Sequence, residues 1–283
     1  MATDLRDLIS IPIGDVVERG VDWVRDNLSG PLDGFAAFVG LIADALEGAL
    51  LFLPDWVLAP LIIALAWWRV GWRFGLFALI AMLVIASMGL WRETMQTLAL
   101  VIGASLIALA AGLPLGIAMA RRDAVESVVR PILDFMQTMP PFVYLIPAAI
   151  FFGLGKVPGT IATVIFAMPP AVRLTNLGIR QVSQENVEAG LAFGCTSRQL
   201  LYKVQIPLAM PSIMAGINQT IMLALSMVVI ASMIGAGGLG NTVLTGIQRL
   251  DVGLGFEGGL GVVILAILLD RLTQSLGLRK RRK

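Results

Sequence analysis

The chain has 283 residues, of which 57% are hydrophobic and 14% are charged, and its net charge is +2. Soluble domains average about 45–50% apolar and about 25% charged residues, so this composition indicates a protein that lies in lipid. The chain has no histidine and a single cysteine, Cys195. These counts exclude a Ser-His-Asp triad, an imidazole metal site, an internal disulfide and a thiolate zinc cluster. We therefore predict no catalytic residue, no metal and no cofactor.

The first 55 residues differ from the rest because they hold ten acidic residues and three arginines. Asp15–Asn27 mixes apolar and charged residues with helical spacing, and Phe35–Leu53 is more apolar but contains Asp44 and Glu47. We interpret both stretches as amphipathic helices that lie on the extracytoplasmic surface of the membrane and do not cross it. The alternative, in which Phe35–Leu53 crosses the bilayer, places two carboxylates in hydrocarbon, which is costly. No secretory signal pattern is expected at the start.

Seven apolar runs, each bounded by charges, follow within residues 56–278. A helix that crosses the ~30 Å hydrocarbon layer needs roughly 20 apolar residues, so the first, fourth and fifth runs are near the lower limit. We predict an all-α polytopic membrane protein with about seven transmembrane helices. The runs are Trp56–Trp68, Phe74–Trp91, Thr94–Ala120, Met139–Gly155, Val157–Val172, Leu208–Thr245 and Gly258–Leu278.

The positions of lysine and arginine predict the orientation of these spans. With seven spans and a cytoplasmic C-terminus, fifteen basic residues lie inside and six lie outside. The opposite orientation reverses that split. The inner set includes the basic tail 279–283, which we expect to lie near anionic lipid. We predict a protein of the cytoplasmic (inner) membrane, with its N-terminus outside and its C-terminus in the cytoplasm.

The longest polar stretch among the spans, residues 173–207, predicts a helix-turn-helix on the cytoplasmic side. Ser183 is suited to cap its first helix, and Gly194 is suited to end that helix. Thr196–Gln199 matches a capping box at the start of the second helix, which Pro207 is expected to end. The segment is either a plain connection between spans or a docking surface, and its length and caps favour docking.

This segment resembles the EAA motif of ABC importer permeases, which reads Glu-Ala-Ala, three residues, Gly, nine residues, Ile-x-Leu-Pro. The spacing matches in full, with small changes at three positions. A longer stretch, 136–240, is similar to permease subunits of glycine betaine/proline betaine/choline importers. We refer to residues 173–207 as the coupling loop, because the resemblance implies that it binds an ATPase. The positions that match the motif are Glu188, Ala189, Gly190, Gly194, Val204, Ile206 and Pro207.

The resemblance implies a division of labour in an ABC importer fold. Two copies of this chain, a homodimer, form the pathway, two separate ATPases bind the coupling loops, and a binding protein delivers the cargo from outside. The chain lacks the Gly-x4-Gly-Lys-Ser/Thr phosphate loop, so it is expected not to be an enzyme. The implied activity is transport of glycine betaine, proline betaine or choline by alternating access.

Three alternatives to this assignment remain. An importer permease for another small amine or an amino acid has the same motif. A secondary transporter needs ion-coupling carboxylates inside the membrane, and residues 139–172 and 208–241 contain none. A membrane-bound enzyme needs a catalytic cluster, and the sequence offers none.

Five residues in two apolar runs are candidates for the translocation path. Proline frees backbone groups, which is tolerated where a helix is buried or lines a cavity. Aromatic faces attract quaternary ammonium ions, although packing is the favoured interpretation of these aromatics. An amide in an apolar span indicates either the path or, as we slightly favour, a helix–helix hydrogen bond. The candidates are Pro141, Phe142, Tyr144, Asn218 and Gln219. The glycine-rich stretch Gly235–Gly240 is predicted to be a flexible turn or gate.

Overall fold

A computed structural model describes residues 13–277, and this part of the chain contains helices and turns but no strand. The predicted all-α polytopic fold is confirmed. The N-terminal residues 1–12, Leu278 and the predicted basic tail 279–283 lie outside the described residues. The helices are α1 (Ile13–Phe52), α2 (Asp55–Arg69), α3 (Trp72–Ser87), α4 (Trp91–Arg121), α5 (Asp123–Thr138), α6 (Pro141–Phe152), α7 (Lys156–Arg180), α8 (Gln184–Ala192), α9 (Ser197–Leu200), α10 (Ile206–Ala231), α11 (Gly238–Arg249) and α12 (Val252–Gly277).

Five helical segments are long and apolar enough to cross a membrane, and a sixth is possible if the bent pair α5–α6 counts as one span. The five are α1, α4, α7, the segment from α9 through α10, and α12. Helices α2 and α3 have 15 and 16 residues. At 1.5 Å per residue they reach only about 22–24 Å. Two of the predicted spans are therefore apolar helices that are shorter than the hydrocarbon layer.

Helix α7 lies at the centre of the molecule, between α4 and α10. Gly116 of α4 allows close approach, since an added Cβ would lie 2.6 Å from the carbonyl oxygen of Val172. Gly216 of α10 allows close approach on the other side of α7, since an added Cβ would lie 3.1 Å from the carbonyl oxygen of Pro170. Pro169 and Pro170, a pair expected from local sequence to end a helix, lie inside α7, which continues to Arg180. Both prolines are buried, where neighbouring helices hold a backbone that proline alone would break.

The fourth predicted span, Met139–Gly155, corresponds to α6, which meets the preceding helix α5 at 101°. Met139 takes an extended conformation, φ −73° and ψ 132°, as residues before proline do. Pro141 then begins α6, whose 12 residues reach only about 18 Å. The Tyr144 hydroxyl donates a hydrogen bond across the bend to the carbonyl oxygen of Met136. The two helices are thus fixed around the bend.

Helix α1 is long and is interrupted at Leu28, whose φ and ψ are not helical. Its C-terminal half contains the two carboxylates that made a membrane span seem costly. Lys156 of α7 lies 2.6 Å from Asp44 and 2.8 Å from Glu47, and the Gln96 side chain donates to Glu47 at 3.0 Å. These charges are therefore paired. The placement of this segment on the membrane surface stays a prediction.

The sixth predicted span, Leu208–Thr245, is divided into α10 and α11. A short 3₁₀ turn, Ser232–Ile234, follows α10, and the glycine-rich stretch then reverses the chain with positive φ at Gly235 and Gly237. The backbone N–H of Leu239 donates to the Thr97 hydroxyl of α4 at 2.8 Å. The stretch is a turn held against α4, and its role as a gate stays a prediction.

Candidate functional site

The coupling loop forms two short helices, α8 and α9, joined by the turn 193–196. Gly194 ends α8 with φ +78°, the left-handed conformation that the sequence predicts there. The turn is closed by two backbone hydrogen bonds, from Gly194 to Leu191 at 2.9 Å and from Cys195 to Gly190 at 3.1 Å. These bonds satisfy carbonyl groups at the end of α8 and fix the direction in which the chain leaves it.

The capping box at the start of α9 is confirmed. The Gln199 backbone N–H donates to the Thr196 hydroxyl at 3.3 Å, and the Thr196 N–H donates to the Gln199 side chain at 2.9 Å. Ser183 stands at the capping position of α8, but its hydroxyl accepts from the Asn186 side chain at 2.8 Å and makes no capping bond. The N-terminus of α9 is therefore capped by side chains, whereas that of α8 is not.

Gly190, a departure from the motif's second alanine, lies where α8 meets the following helix. It is buried, and an added Cβ would lie 2.7 Å from the Leu200 side chain and 3.5 Å from that of Val204. The small residue therefore sets the distance between the two helices. The motif positions Gly190 and Val204 are neighbours in space, which their separation in the sequence does not reveal.

The expectation that Pro207 ends the second helix is wrong. The helix continues from α9 into α10 through a π-helical turn, Leu201–Gln205. Within it the Ile206 N–H donates to the carbonyl oxygen of Leu201, five residues back. In an α-helix the Pro207 ring would clash with the carbonyl of Lys203. The wider turn accommodates the proline, so α9 is joined rigidly to the membrane helix α10.

The coupling loop is attached to the membrane helices through Arg180, the last residue of α7. Its guanidinium lies 2.7 Å from Asp123 and 2.9 Å from Glu126, both in α5, and it also donates to the carbonyl oxygen of Met119 at 2.9 Å. The Asn176 side chain accepts from Arg180 at 3.0 Å. Three helices, α4, α5 and α7, therefore meet at one cation immediately before α8.

The outer surface of the loop exposes charge and large apolar side chains. The motif residues Glu188 and Ala189 are exposed. Three more residues of the loop, which the sequence alone does not indicate as functional, are also exposed, namely Leu191 (53%), Phe193 (90%) and Tyr202 (59%). A phenylalanine directly before a helix-ending glycine in a polar loop is the signal that could have indicated Phe193. Aromatic side chains exposed in this way are typical of the anchors of protein interfaces.

The five path candidates divide between the interior and the surface. Tyr144 is buried against Phe166, and their ring centroids are 6.0 Å apart. Asn218 donates to Asp270 of α12 at 2.9 Å, a helix–helix hydrogen bond. Phe142 and Gln219 are exposed. Pro141 is the first residue of α6, at the bend.

Comparisons with known proteins show which family this chain is similar to. Residues 112–282 match the family described as "Binding-protein-dependent transport system inner membrane component". The chain is 50% identical to the glycine betaine/proline betaine transport system permease protein ProW of Escherichia coli (strain K12), over 94% of this chain and 75% of ProW. It is 48% identical to the glycine betaine transport system permease protein OpuAB of Bacillus subtilis (strain 168), over 96% of each chain.

Another relative, the glycine betaine/carnitine transport permease protein GbuB of Listeria monocytogenes, is 52% identical over 94% of this chain and 95% of GbuB. Among solved structures, the inward-facing MetNI methionine ABC transporter has a TM-score of 0.59 at 19% identity, over 64% of this chain and 91% of the matched chain. That likeness shows a shared fold. The chain therefore belongs to the family of binding-protein-dependent transport system inner membrane components, as a permease subunit of an ABC transporter and not as its ATPase.

Proposed function

We propose that this permease imports a quaternary-ammonium compound, namely glycine betaine, proline betaine or choline, across the cytoplasmic membrane. The observation that carries this proposal is identity near 50% to three glycine betaine permeases over almost the whole chain. The motif alone is shared by importers of many cargoes. Similarity that extends through α1–α3 and the membrane core supports a common cargo class.

Uptake into vesicles tests the cargo. The chain is reconstituted with its ATPase and binding protein, and uptake of labelled glycine betaine, proline betaine, choline and a neutral amino acid is measured with ATP. We expect uptake of at least one quaternary-ammonium compound and none of the amino acid. Uptake of the amino acid alone would support the alternative cargo. Uptake driven by an ion gradient without ATP would indicate a secondary transporter.

We propose that two ATPase subunits bind the exposed surface of the coupling loop. Phe193 supplies an apolar anchor, and Glu188 on α8 supplies an exposed charge in the same loop. An anchor of this kind typically contributes 2 kcal/mol or more when it enters a pocket of the partner. Because α9 continues into α10 through the π turn, a displacement of the loop moves a membrane helix. This connection supports alternating access driven by closure of the ATPases.

Truncation of the anchor tests this interface. Phe193→Ala should weaken ATPase binding to the reconstituted permease by at least ~30-fold, the equivalent of about 2 kcal/mol. Phe256→Ala is the matched control, since Phe256 lies in the N-terminal part of α12, away from the coupling loop, and is also exposed, at 69%. Equal affinity of both variants and the wild type would remove Phe193 from the interface.

We propose that residues 1–55 are an extracytoplasmic segment, 56–278 the permease domain and 279–283 a cytoplasmic tail. The contacts of α1 support this division. Phe35 packs against Phe152, whose ring centroid is 6.5 Å away, and Gly40 lies beside Val157. Both partners flank the α6–α7 turn, close to Lys156, which the basic-residue distribution assigns to the outside. These contacts support a position of the C-terminal half of α1 beside the α6–α7 turn.

We propose a homodimer that receives cargo from a binding protein on the outer side. Helix α5 supports a second copy. One face packs inward through Leu133, and the opposite face exposes Val128, Ile132 and Phe135 at 63%, 53% and 65%. Because α5 also has charged residues, it is poorly suited to lie alone in hydrocarbon. A symmetry-related copy would cover this stripe.

Of the five path candidates, Phe142 and Gln219 are the two that we propose contact the cargo, since both are exposed. Pro141, Tyr144 and Asn218 then hold the bend and the α10–α12 contact. Phe142→Ala should raise the KM for uptake more than it lowers kcat, because it removes a binding face. Tyr144→Phe should leave KM unchanged and reduce stability, because the hydrogen bond across the bend is lost.

A further inference from the structure

A groove of about 270 Å³ lies between α2 and α3 and is separate from the coupling loop and the proposed path. Its walls are apolar and include Ile63 of α2 and Leu79, Met82 and Leu83 of α3. Met82 is the buried floor, whereas Leu79 and Leu83 are 41% and 61% exposed. Since α2 and α3 are apolar helices of a membrane protein, we expect these exposed walls to face lipid hydrocarbon.

One end of the groove has a different chemistry. Asp55 and Trp56, in the first turn of α2, and Trp91, the first residue of α4, line it together. Asp55 accepts the Trp56 backbone N–H at 2.9 Å. No ion pair found among residues 13–277 includes Asp55. Two indoles and an unneutralised carboxylate attract an organic ammonium ion and repel an anion.

The opposite end of the same helix pair has the reverse charge. Arg69 stacks on Trp68 and Arg73 on Trp72, with guanidinium-to-ring distances of 5.7 and 5.5 Å. The two ends are therefore matched to different headgroup charges, with the acidic end suited to an ammonium group and the basic end to phosphate. Tryptophan is enriched at membrane interfaces, so we expect the two ends to face opposite sides of the bilayer.

We propose that the α2–α3 groove binds one phospholipid whose headgroup has an ammonium group, as ethanolamine and choline lipids do. One acyl chain lies along the apolar walls, and the ammonium group contacts Asp55 and the indoles of Trp56 and Trp91. The groove, at about 270 Å³, accommodates part of one acyl chain and leaves no room for a second. The proposal concerns a site outside the transport path and does not depend on the cargo.

Native mass spectrometry of the full-length permease tests the site. The protein is released from nanodiscs with equal amounts of phosphatidylethanolamine and phosphatidylglycerol, and the retained lipids are counted. The wild type should retain one phosphatidylethanolamine in at least fivefold excess over phosphatidylglycerol. Asp55→Asn, which keeps the side-chain shape, should abolish this excess. Trp91→Leu should lower the total retained lipid.

Controls at the other end of the helix pair make the result specific. Trp72→Leu and Arg73→Gln should leave the ethanolamine excess at the wild-type value. Equal retention of both lipids by the wild type, or an unchanged excess in Asp55→Asn, would overturn the proposal. Displacement of the lipid by free choline would also overturn it, since the groove would then be a solute site. Because ATPase and binding protein are absent, failure here leaves the proposed transport function untouched.

Discussion

Gly194 controls the turn of the coupling loop through its backbone conformation alone. Its φ is +78°, and an added Cβ would meet no other atom within 4 Å. Steric crowding therefore plays no part in the effect of a substitution. Gly194→Val should strain the turn and lower substrate-stimulated ATPase activity of the reconstituted complex at least ~10-fold, the equivalent of about 1.4 kcal/mol. The variant should still insert, because the membrane helices are unchanged.

Gly194→Asn is the matched control for this prediction. Asparagine adopts the left-handed conformation more readily than any β-branched residue, so this variant should retain most of the coupled activity. Uptake and ATPase rates are compared at equal membrane expression. Normal uptake by Gly194→Val would mean that the loop is a passive connection, and the coupling mechanism would fail with it.

Gly190 differs from Gly194 because space, and not φ, limits its substitution. The nearest atom to an added Cβ is Leu200 Cδ1, at 2.7 Å, which is the flexible end of a side chain. Gly190→Ala should be tolerated, since Leu200 can move and alanine favours the helix by about 1 kcal/mol. Gly190→Leu should separate α8 from α9 and reduce ATPase binding. Binding measured for both variants checks the prediction, and loss in Gly190→Ala would contradict it.

At the scale of the helix, the sequence predicts which helices form better than it predicts where each helix ends. The caps of α9 and the end of α8 depend on neighbours in the chain, so Thr196–Gln199 and Gly194 are predictable. Pro169–Pro170 and Pro207 mislead, because proline breaks an isolated helix but is accommodated where packing or a π turn compensates. The local signal for Phe193 is only its place before a helix-ending glycine, and its 90% exposure is a property of the folded loop.

The contact between α5 and α7 depends on ion pairs, and these differ in their expected contribution. Arg180 binds Asp123 and Glu126, and the Glu126 side chain is only 18% exposed. Arg180→Ala removes the closest ion-pair partner of the partly buried Glu126. The variant should therefore lower the free energy of unfolding by at least ~1 kcal/mol. The apparent melting temperature in nanodiscs should fall by about 2–4 °C or more.

Arg130→Ala provides the comparison within the same helix. Arg130 is 71% exposed and lies 3.8 Å from Glu126, so its removal should change the melting temperature little. Similar losses for both variants would indicate that the net charge of α5, and not the buried geometry at Arg180, stabilises the contact.

At the scale of the whole molecule, hydropathy and charge predict a polytopic helical protein but not the number of crossings. The bend between α5 and α6 follows from the local Met139–Pro141 sequence, and α2 and α3 are shorter than the hydrocarbon layer, so a count of apolar runs does not give the number of crossings. The pairing of Asp44 and Glu47 with Lys156 joins residues more than 100 positions apart. No local pattern indicates such a pair, so the cost assigned to these carboxylates could not be corrected from the sequence.

The single cysteine makes the orientation testable without adding a probe. Cys195 lies in the turn of the coupling loop and is partly exposed. If the loop faces the cytoplasm, a membrane-impermeant maleimide should label Cys195 in inside-out vesicles and not in intact cells. Bound ATPase should slow this labelling, because the turn between α8 and α9 lies in the proposed interface.

The control is a Cys195→Ala chain with Leu154→Cys, since Leu154 is 78% exposed in the α6–α7 turn that we assign to the outside. This variant should show the reverse pattern, with labelling in intact cells. Labelling of both positions from the same side would mean that α7 does not cross the membrane between them. Labelling of Cys195 only in intact cells would indicate the opposite orientation, in which the ATPase could not reach the coupling loop.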